Sequence, residues 1–85
     1  MRLLLQLPAR TLVDTAVTKV TVEAVGGSFC LLPGHVDVVA ALSMGILVYA
    51  TAEREENLVA VDEGVLVKRG EEVRVAVRQA IEGTT

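Results

Sequence analysis

Cys30 and His35 lie five residues apart and are the residue types from which a thiol enzyme is built. Such a site also needs a side chain that orients the imidazole, and no Asn or Asp stands in a pattern that would do so. Pro33-Gly34 lies between the two residues and predicts a turn. We therefore interpret the closeness of Cys30 and His35 in the sequence as chance. One cysteine forms no internal disulfide, and with a single histidine it supplies too few ligands for a metal. We therefore expect neither thiol catalysis nor a metal site. The single cysteine also favours a reducing compartment for the protein.

Two pairs of carboxylates, Glu55-Glu56 and Asp62-Glu63, are candidates for acid–base chemistry. Both fall where predicted strands end, and successive strand residues point to opposite faces, so neither pair converges on a substrate. Gly26-Gly27 lacks the glycine spacing, the lysine and the following helix of a phosphate-binding loop. We interpret the acidic pairs as solvated turns and the glycine pair as a hairpin turn, and we expect no catalytic residue and no cofactor.

Lys68 lies in a segment whose glycine and valine spacing, from Val61 to Val73, is similar to that of biotinyl and lipoyl carrier domains. The modified lysine of a carrier lies at a strand-to-strand tip with Met or Ala-Asp beside it, and Lys68 lacks these neighbours. A stand-alone β-sandwich or barrel that acts as an interaction or carrier module is therefore the alternative function.

The charge of the chain excludes several classes of partner. Eight Lys and Arg against eleven Asp and Glu give a net charge of −3. No basic cluster is present to replace counterions on a phosphate backbone, so we expect no nucleic acid and no anionic membrane surface as partner. The apolar start Met1 to Leu5 ends at Gln6 and Pro8 and is too short for a signal peptide or a membrane span, so we expect no direct membrane insertion.

The elements that position these residues are predicted to be strands, because the apolar residues recur with a period of two. Val73, Val75 and Val77 alternate with Arg and Ala, and the segment Thr18 to Ala24 alternates in the same way. The chain holds 16 Val, 11 Leu and 10 Ala but only two aromatic residues, so its core is aliphatic. The segment His35 to Ser43 also fits one face of a helix, but its β-branched residues favour a strand.

The spacing of the breaks indicates the fold class. Segments rich in Val and Leu are separated by glycine or charged residues about every 6 to 12 positions, which predicts an all-β sandwich or barrel. From Gln79 to Thr85 the alternation is lost, and we predict a fraying tail there. A length of 85 residues leaves room for one domain only.

The segment Gly26-Gly27-Ser28-Phe29-Cys30-Leu31-Leu32-Pro33-Gly34-His35 resembles the hallmark of the epsilon subunit of F-type ATP synthases, the subunit called delta in mitochondria. That hallmark is a glycine pair or small residue, a polar and an apolar residue, a glycine, two apolar residues and Leu-Pro-Gly-His. The last four residues match at every position. The segments Leu7-Pro8-Ala9-Arg10 and Glu63-Gly64-Val65-Leu66-Val67 look like the opening and closing stretches of the same N-terminal domain.

Three positions depart from the family pattern. Cys30 replaces a glycine, Asp37 a common proline, and Met44 the proline usual before Gly45. The combination of Ser-Phe-Cys-Leu-Leu-Pro with His-Val-Asp looks most like the alternate branch of F-type ATPases, which is thought to translocate sodium. The ion itself is chosen by the membrane ring and not by this chain.

The resemblance implies a two-sheet antiparallel β-sandwich of about ten short strands. We place the epsilon-type N-terminal domain at residues 1–80 and a tail, the start of the helical region of other members, at residues 81–85. The C-terminal helical hairpin of the family is absent from this sequence. The inhibitory and ATP-binding roles of that hairpin are therefore not carried over.

The resemblance also implies a function as a central-stalk rotor subunit, which couples rotation of the membrane c-ring to the gamma subunit. Four residues match the ring-facing turns of the family and are the predicted c-ring contacts: Gly26, Gly27, Ser28 and His35. Five residues match the surface that meets gamma and are the predicted gamma contacts: Val38, Ala40, Leu42, Met44 and Ile46. The expected location is the cytoplasmic face of the inner (plasma) membrane, peripheral to it through the complex.

Overall fold

The structure is a computed structural model that describes residues 1–53 and 55–83. Within these residues, alternating apolar segments form ten short strands. In chain order these are β1 Arg2–Gln6, β2 Thr11–Ala16, β3 Lys19–Ala24, β4 Gly27–Leu31, β5 Val38–Leu42, β6 Gly45–Ala50, β7 Glu56–Val61, β8 Gly64–Arg69, β9 Glu72–Val77 and β10 Ala80–Glu82. The all-β prediction is confirmed, and β5 confirms the choice of a strand for the segment that also fits a helix.

The ten strands form two layers that belong to one curled sheet. One layer contains β4, β3, β6, β7 and β10, and the other contains β5, β8, β9, β1 and β2. They join at a corner where Ala24 at the end of β3 pairs with Leu42 at the end of β5. On either side of that pair, Val25 N donates to Ala41 O and Ser43 N donates to Glu23 O, each at 3.0 Å. The sandwich prediction is confirmed, with the correction that its two sheets are continuous at this corner.

One pair of strands runs parallel, which corrects the prediction of purely antiparallel sheets. β1 lies between β2 and β9, antiparallel to β2 and parallel to β9, with Leu3 opposite Val73 and Leu5 opposite Val75. Parallel neighbours require a long connection. That requirement is met here because β1 and β9 come from opposite ends of the chain.

The core is aliphatic and receives alternate side chains from both layers. Val73, Val75 and Val77 on β9 all face inward, as their alternation predicts. Residues with less than 3% exposure also come from β1, β3, β4, β5, β6, β7 and β8: Leu3, Leu5, Val20, Val22, Leu31, Leu42, Leu47, Val59 and Leu66. Leu and Val from two facing layers therefore fill the interior without an aromatic centre.

β10 shows that the predicted fraying tail was wrong over three residues. Ala80 pairs with Val61 and Glu82 with Val59, so the segment adds an edge strand next to β7. Gly83 N then donates to Leu58 O at 2.7 Å. The sequence did not reveal this strand, because its one large apolar residue, Ile81, points to solvent and the segment shows no alternation of apolar and polar residues. Thr84 and Thr85, at the end of the predicted tail, lie outside the described residues.

Candidate partner-binding surfaces

The first surface is the exposed tip of the hairpin between β3 and β4. Ala24 pairs with Gly27, so Val25 and Gly26 form a two-residue loop. Gly26 and Gly27 have φ of 100° and 141°, and Ser28 follows them on the exposed edge. An open groove of about 480 Å³ separates this tip from residues 39–41 of β5. Three of the four predicted ring contacts, Gly26, Gly27 and Ser28, thus lie together at one exposed hairpin tip, where Ser28 offers a hydroxyl.

The fourth predicted ring contact, His35, lies in the loop between β4 and β5. His35 N donates to Leu32 O at 3.0 Å, and Gly34 has a φ of 88°. Pro at the second position and a positive φ at the third are the features of a type II turn, so the predicted Pro-Gly turn is confirmed. His35 Nδ1 lies 2.7 Å from Val36 O and donates to it in the tautomer that carries the hydrogen on Nδ1. The imidazole is half-buried and held against its own loop.

Lys68 lies beneath this loop. It projects inward from β8 and its side chain is only 3% exposed. Its Nζ donates to His35 O and lies 3.8 Å from Asp37 Oδ1. A carrier lysine must reach a modifying enzyme from a hairpin tip, and Lys68 lies within β8 with its side chain buried beneath the loop. The carrier-module alternative is therefore contradicted by the position of this residue.

The five predicted gamma contacts do not share one surface. Leu42 is 2% exposed and belongs to the core, so its side chain offers nothing to a partner, and its place in the predicted set was wrong. Val38 and Ala40 are half-buried on the same inward side of β5. Met44 and Ile46 are exposed. The sequence could not show which side of β5 faces inward, because residues 38–42 are all apolar.

The exposed members of that set lie on a larger apolar surface formed by β6, β7 and β10. In one row across the three strands, Ile46 is opposite Ala60 and Ala60 is opposite Ile81. Met44 and Leu58 extend this row, and a groove of about 210 Å³ lies between Met44 and Ile81. We call these five residues, Met44, Ile46, Leu58, Ala60 and Ile81, the β6–β7–β10 face. Leu58, Ala60 and Ile81 were missed because only strand pairing brings them beside Ile46.

A second apolar surface covers the outer side of β5 and β8. Val39 is opposite Val67 and Ala41 is opposite Val65, and all four side chains point to solvent. We call these four residues the β5–β8 face. It lies on the other layer of the sandwich, so one flat partner surface cannot cover both faces. The sequence did not indicate it, because on β8 the valines face outward and Lys68 faces inward, the reverse of the usual pattern.

The chemical candidates do not converge. Cys30 is half-buried on β4 opposite Thr21, and His35 belongs to the following loop. Within residues 1–53 and 55–83, no cluster of three or more His, Cys, Asp or Glu is arranged to hold a metal ion. The same part of the chain contains no helix that is long and apolar enough to cross a membrane.

The whole sandwich, from the first residue to the end of β10, matches one protein family. Residues 1–83 match the family described as ATP synthase, Delta/Epsilon chain, beta-sandwich domain. The chain belongs to this family. The family predicted from Leu32-Pro33-Gly34-His35 and its flanking segments is therefore confirmed.

Two relatives bear the name ATP synthase epsilon chain 2. The protein of Paraburkholderia xenovorans is 36% identical over 85 residues, which cover 98% of this chain and 61% of the relative. That of Cereibacter sphaeroides is 34% identical over 76 residues, which cover 88% of this chain and 52% of the relative. The chain thus spans between half and about three fifths of the length of these relatives.

Two solved structures share the fold. A chain in the mitochondrial ATP synthase of Euglena gracilis, a structure that contains OSCP, F1 and the c-ring, has a TM-score of 0.89 and 20% identity, and the match covers 94% of this chain and 51% of that one. A chain in the central stalk and c-ring structure of the Tetrahymena thermophila mitochondrial ATP synthase has a TM-score of 0.79 and 11% identity, with 95% and 65% covered. At these identities the similarity shows that the β-sandwich is common to all three.

Proposed function

We propose that this protein is a rotor subunit in the central stalk of an F-type ATP synthase, where it couples rotation of the membrane c-ring to the gamma subunit. The observation that carries the proposal is the family match over residues 1–83. The solved structures with the same fold come from ATP synthases, and one of them is described as a central stalk and c-ring. In this role the domain transmits force through protein–protein contacts and performs no bond chemistry.

The mechanical role agrees with the construction of the domain. Each layer is held by hydrogen bonds between neighbouring strands, and the space between layers is filled by close-packed Val and Leu. The described part of the chain forms a block of 27 × 27 × 24 Å. A packed interior has low compressibility, so a displacement applied at one surface reaches another without being absorbed by deformation.

The ring contact is assigned to the polar groups of the hairpin tip between β3 and β4 and of the loop between β4 and β5. Gly26, Gly27 and Ser28 present backbone amides and a hydroxyl, and His35 adds an imidazole and its backbone. These groups are suited to the polar loops of a membrane ring, because they exchange hydrogen bonds with water for hydrogen bonds with the partner. The negative net charge supports a peripheral location, because an anionic membrane surface would repel the chain.

The gamma contact is assigned to the β6–β7–β10 face. It contains Met44 and Ile46 from the predicted set and adds Leu58, Ala60 and Ile81. Val38 and Ala40, which are half-buried on β5, contribute at most their exposed edges. An exposed apolar row across three strands is more than scattered surface hydrophobicity and is typical of a protein interface.

The location and the ion follow the rest of the complex. A single half-buried thiol supports a reducing compartment, and hence the cytoplasmic face of the inner (plasma) membrane. The segments 28–33 and 35–37 resemble the alternate branch of F-type ATPases, which supports a sodium-translocating complex. Proton transport is the other outcome.

Binding to gamma tests the proposal with a matched pair of variants. Ile46 and Val65 are both β-branched, sit on strands of different layers and are 44% and 46% exposed. We expect a one-to-one complex of the protein with its gamma subunit by calorimetry, and we expect Ile46→Asp to weaken it at least tenfold while Val65→Asp leaves it within about threefold. Loss of binding in Val65→Asp alone would move the contact to the β5–β8 face. No binding by the folded wild-type chain would contradict the proposal.

A further inference from the structure

Lys68 is a buried cation in an aliphatic sandwich. It shares the inward side of β8 with Leu66, and its side chain is 3% exposed. Removing an ammonium group from water is strongly unfavourable unless hydrogen bonds and an opposite charge compensate. An uncharged side chain of similar length would fill the same space without that cost. The position of Lys68 is therefore explained by what its ammonium group contacts.

Within the described residues, the polar contacts of the Lys68 ammonium group lie in the loop between β4 and β5. Its Nζ donates to the backbone carbonyl of His35 and lies 3.8 Å from Asp37 Oδ1. The same carboxylate oxygen accepts a hydrogen bond of 2.8 Å from Gly70 N, in the turn between β8 and β9. Two points of the loop, His35 and Asp37, are thus tied to β8 and to the turn that follows it.

Apolar burial contributes little to the position of this loop. Leu32 is 52% exposed and Val36 is 74% exposed, so both of its large apolar side chains point mainly to solvent. The hydrogen bond from His35 N to Leu32 O closes the turn but lies within the loop. Among the described residues, the side-chain hydrogen bonds that join this loop to other elements are those from Lys68 Nζ to His35 O and from Gly70 N to Asp37 Oδ1.

We propose that Lys68 is a positioning residue: through the His35 carbonyl and Asp37 it holds the loop of residues 32–37 in the conformation that binds the c-ring. The proposal rests on the proposed function, since it concerns the loop to which the ring contact of His35 is assigned. On β8, Val65 and Val67 face solvent while Leu66 and Lys68 face inward, so the ammonium group reaches the loop from the inner side. Lys68 itself is enclosed and does not touch the ring.

The first experiment measures the loop in the free protein. Lys68→Met is compared with Lys19→Met, the same change at an exposed lysine on β3. Lys68→Met removes the hydrogen bond from Lys68 Nζ to His35 O, so the loop should open more often and expose the bonds from His35 N to Leu32 O and from Gly70 N to Asp37 Oδ1. Amide hydrogen exchange followed by NMR should therefore be about tenfold faster or more for Gly70 and His35 in this variant. The amide of Leu66 should be unchanged in both variants. Unchanged exchange at Gly70 and His35, or equally faster exchange at Leu66, would overturn the proposal.

The second experiment measures binding to the detergent-solubilised c-ring and, separately, to gamma. Lys68→Met should weaken ring binding about tenfold and leave gamma binding unchanged, a split that a general loss of stability would not produce. Wild-type binding to the ring with equal binding by Lys68→Met would overturn the positioning role alone. No ring binding by the wild type would contradict the proposed function, whatever the exchange experiment shows.

A second variant keeps the test decisive if Lys68→Met does not fold. Asp37 is exposed, so Asp37→Asn removes the negative charge beside Lys68 without disturbing the core. It should weaken ring binding in the same direction as Lys68→Met, by a smaller factor, because the amide oxygen of the substituted side chain can still accept the hydrogen bond from Gly70 N. Ring binding equal to that of the wild type would overturn the role of the Lys68–Asp37 pair.

Discussion

Tyr49 on β6 is a phenol whose titration is coupled to folding. Burial, and then the negative charge of Glu82 on β10, raise the pKa of Tyr49 above its ordinary value of about 10. The folded protein therefore holds the phenolic proton more tightly than the unfolded chain does. This contribution to stability is complete below the pKa of the unfolded chain and is lost as the pH rises through the higher pKa of the folded protein.

This linkage gives a prediction for alkaline solution. The free energy of unfolding of the wild type should fall more steeply between about pH 9 and pH 12 than that of Tyr49→Phe, which has no phenolic proton. Urea unfolding of both proteins across this range measures the difference. Because both proteins contain the same lysines, the contribution of lysine titration cancels in the comparison. Parallel curves would show that Tyr49 titrates alike in the folded and unfolded states.

The structural role of a single residue could be predicted from the sequence at some positions and not at others. The turn at Leu32-Pro33-Gly34-His35 was predictable, because Pro fixes φ before a position that Gly can occupy with positive φ. The burial of Lys68 was not predictable from a segment that reads Val-Leu-Val-Lys, since two alternation phases are possible. Its contacts with His35 and Asp37 depend on a loop 33 and 31 residues away along the chain.

At the scale of strands, two glycines mark places where neighbouring elements approach closely. A Cβ on Gly64, at the start of β8, would overlap the backbone carbonyl oxygen of Ala76 and lie 2.6 Å from Val77 Cγ1. A Cβ on Gly45, at the start of β6, would overlap the carboxylate of Glu23, which accepts a hydrogen bond of 2.7 Å from Ile46 N. The first obstacle is backbone, whereas the second is the end of a flexible side chain.

The two glycines should therefore respond differently to alanine. Gly64→Ala should lower the free energy of unfolding by about 1–3 kcal/mol, because β8 and β9 must separate. Gly45→Ala should lower it by about 1 kcal/mol, because Glu23 can turn away and loses one hydrogen bond. Urea denaturation of both variants measures the two values. A larger loss in Gly45→Ala would contradict the packing described for the two strand pairs.

Strands were predictable where polar and apolar residues alternate and unpredictable where they do not. β9 follows from Val73, Val75 and Val77, and the phase of that strand is fixed by Arg74. On β5 the phase is free, because residues 38–42 are all apolar, and Leu42 was assigned to a surface although it lies in the core. β10 and the parallel pairing of β1 with β9 depend on contacts between distant segments, for which a single sequence has no signal.

At the scale of the whole molecule, the sandwich keeps its partner surfaces apart. The hairpin tip and the 32–37 loop combine the polar groups of Ser28, His35 and Asp37 with exposed apolar side chains, whereas the β6–β7–β10 face and the β5–β8 face are apolar and lie on different layers. The turn motif predicts the ring contacts from the sequence. The two apolar faces become visible only when the strands are assembled into layers. A small rigid domain with separate surfaces can touch a ring and a shaft at once, which is the central claim of the proposed function.

Site-specific cross-linking in the assembled complex tests that claim most directly. Cys30→Ser removes the native thiol, and a single cysteine is then introduced at Ser28, at Ile46 or, as control, at Val65. We expect Ser28→Cys to cross-link to the c-ring, Ile46→Cys to cross-link to gamma, and Val65→Cys to reach neither. A complex in which Ser28→Cys and Ile46→Cys cross-link to neither partner, while the domain remains folded and bound, would contradict the account.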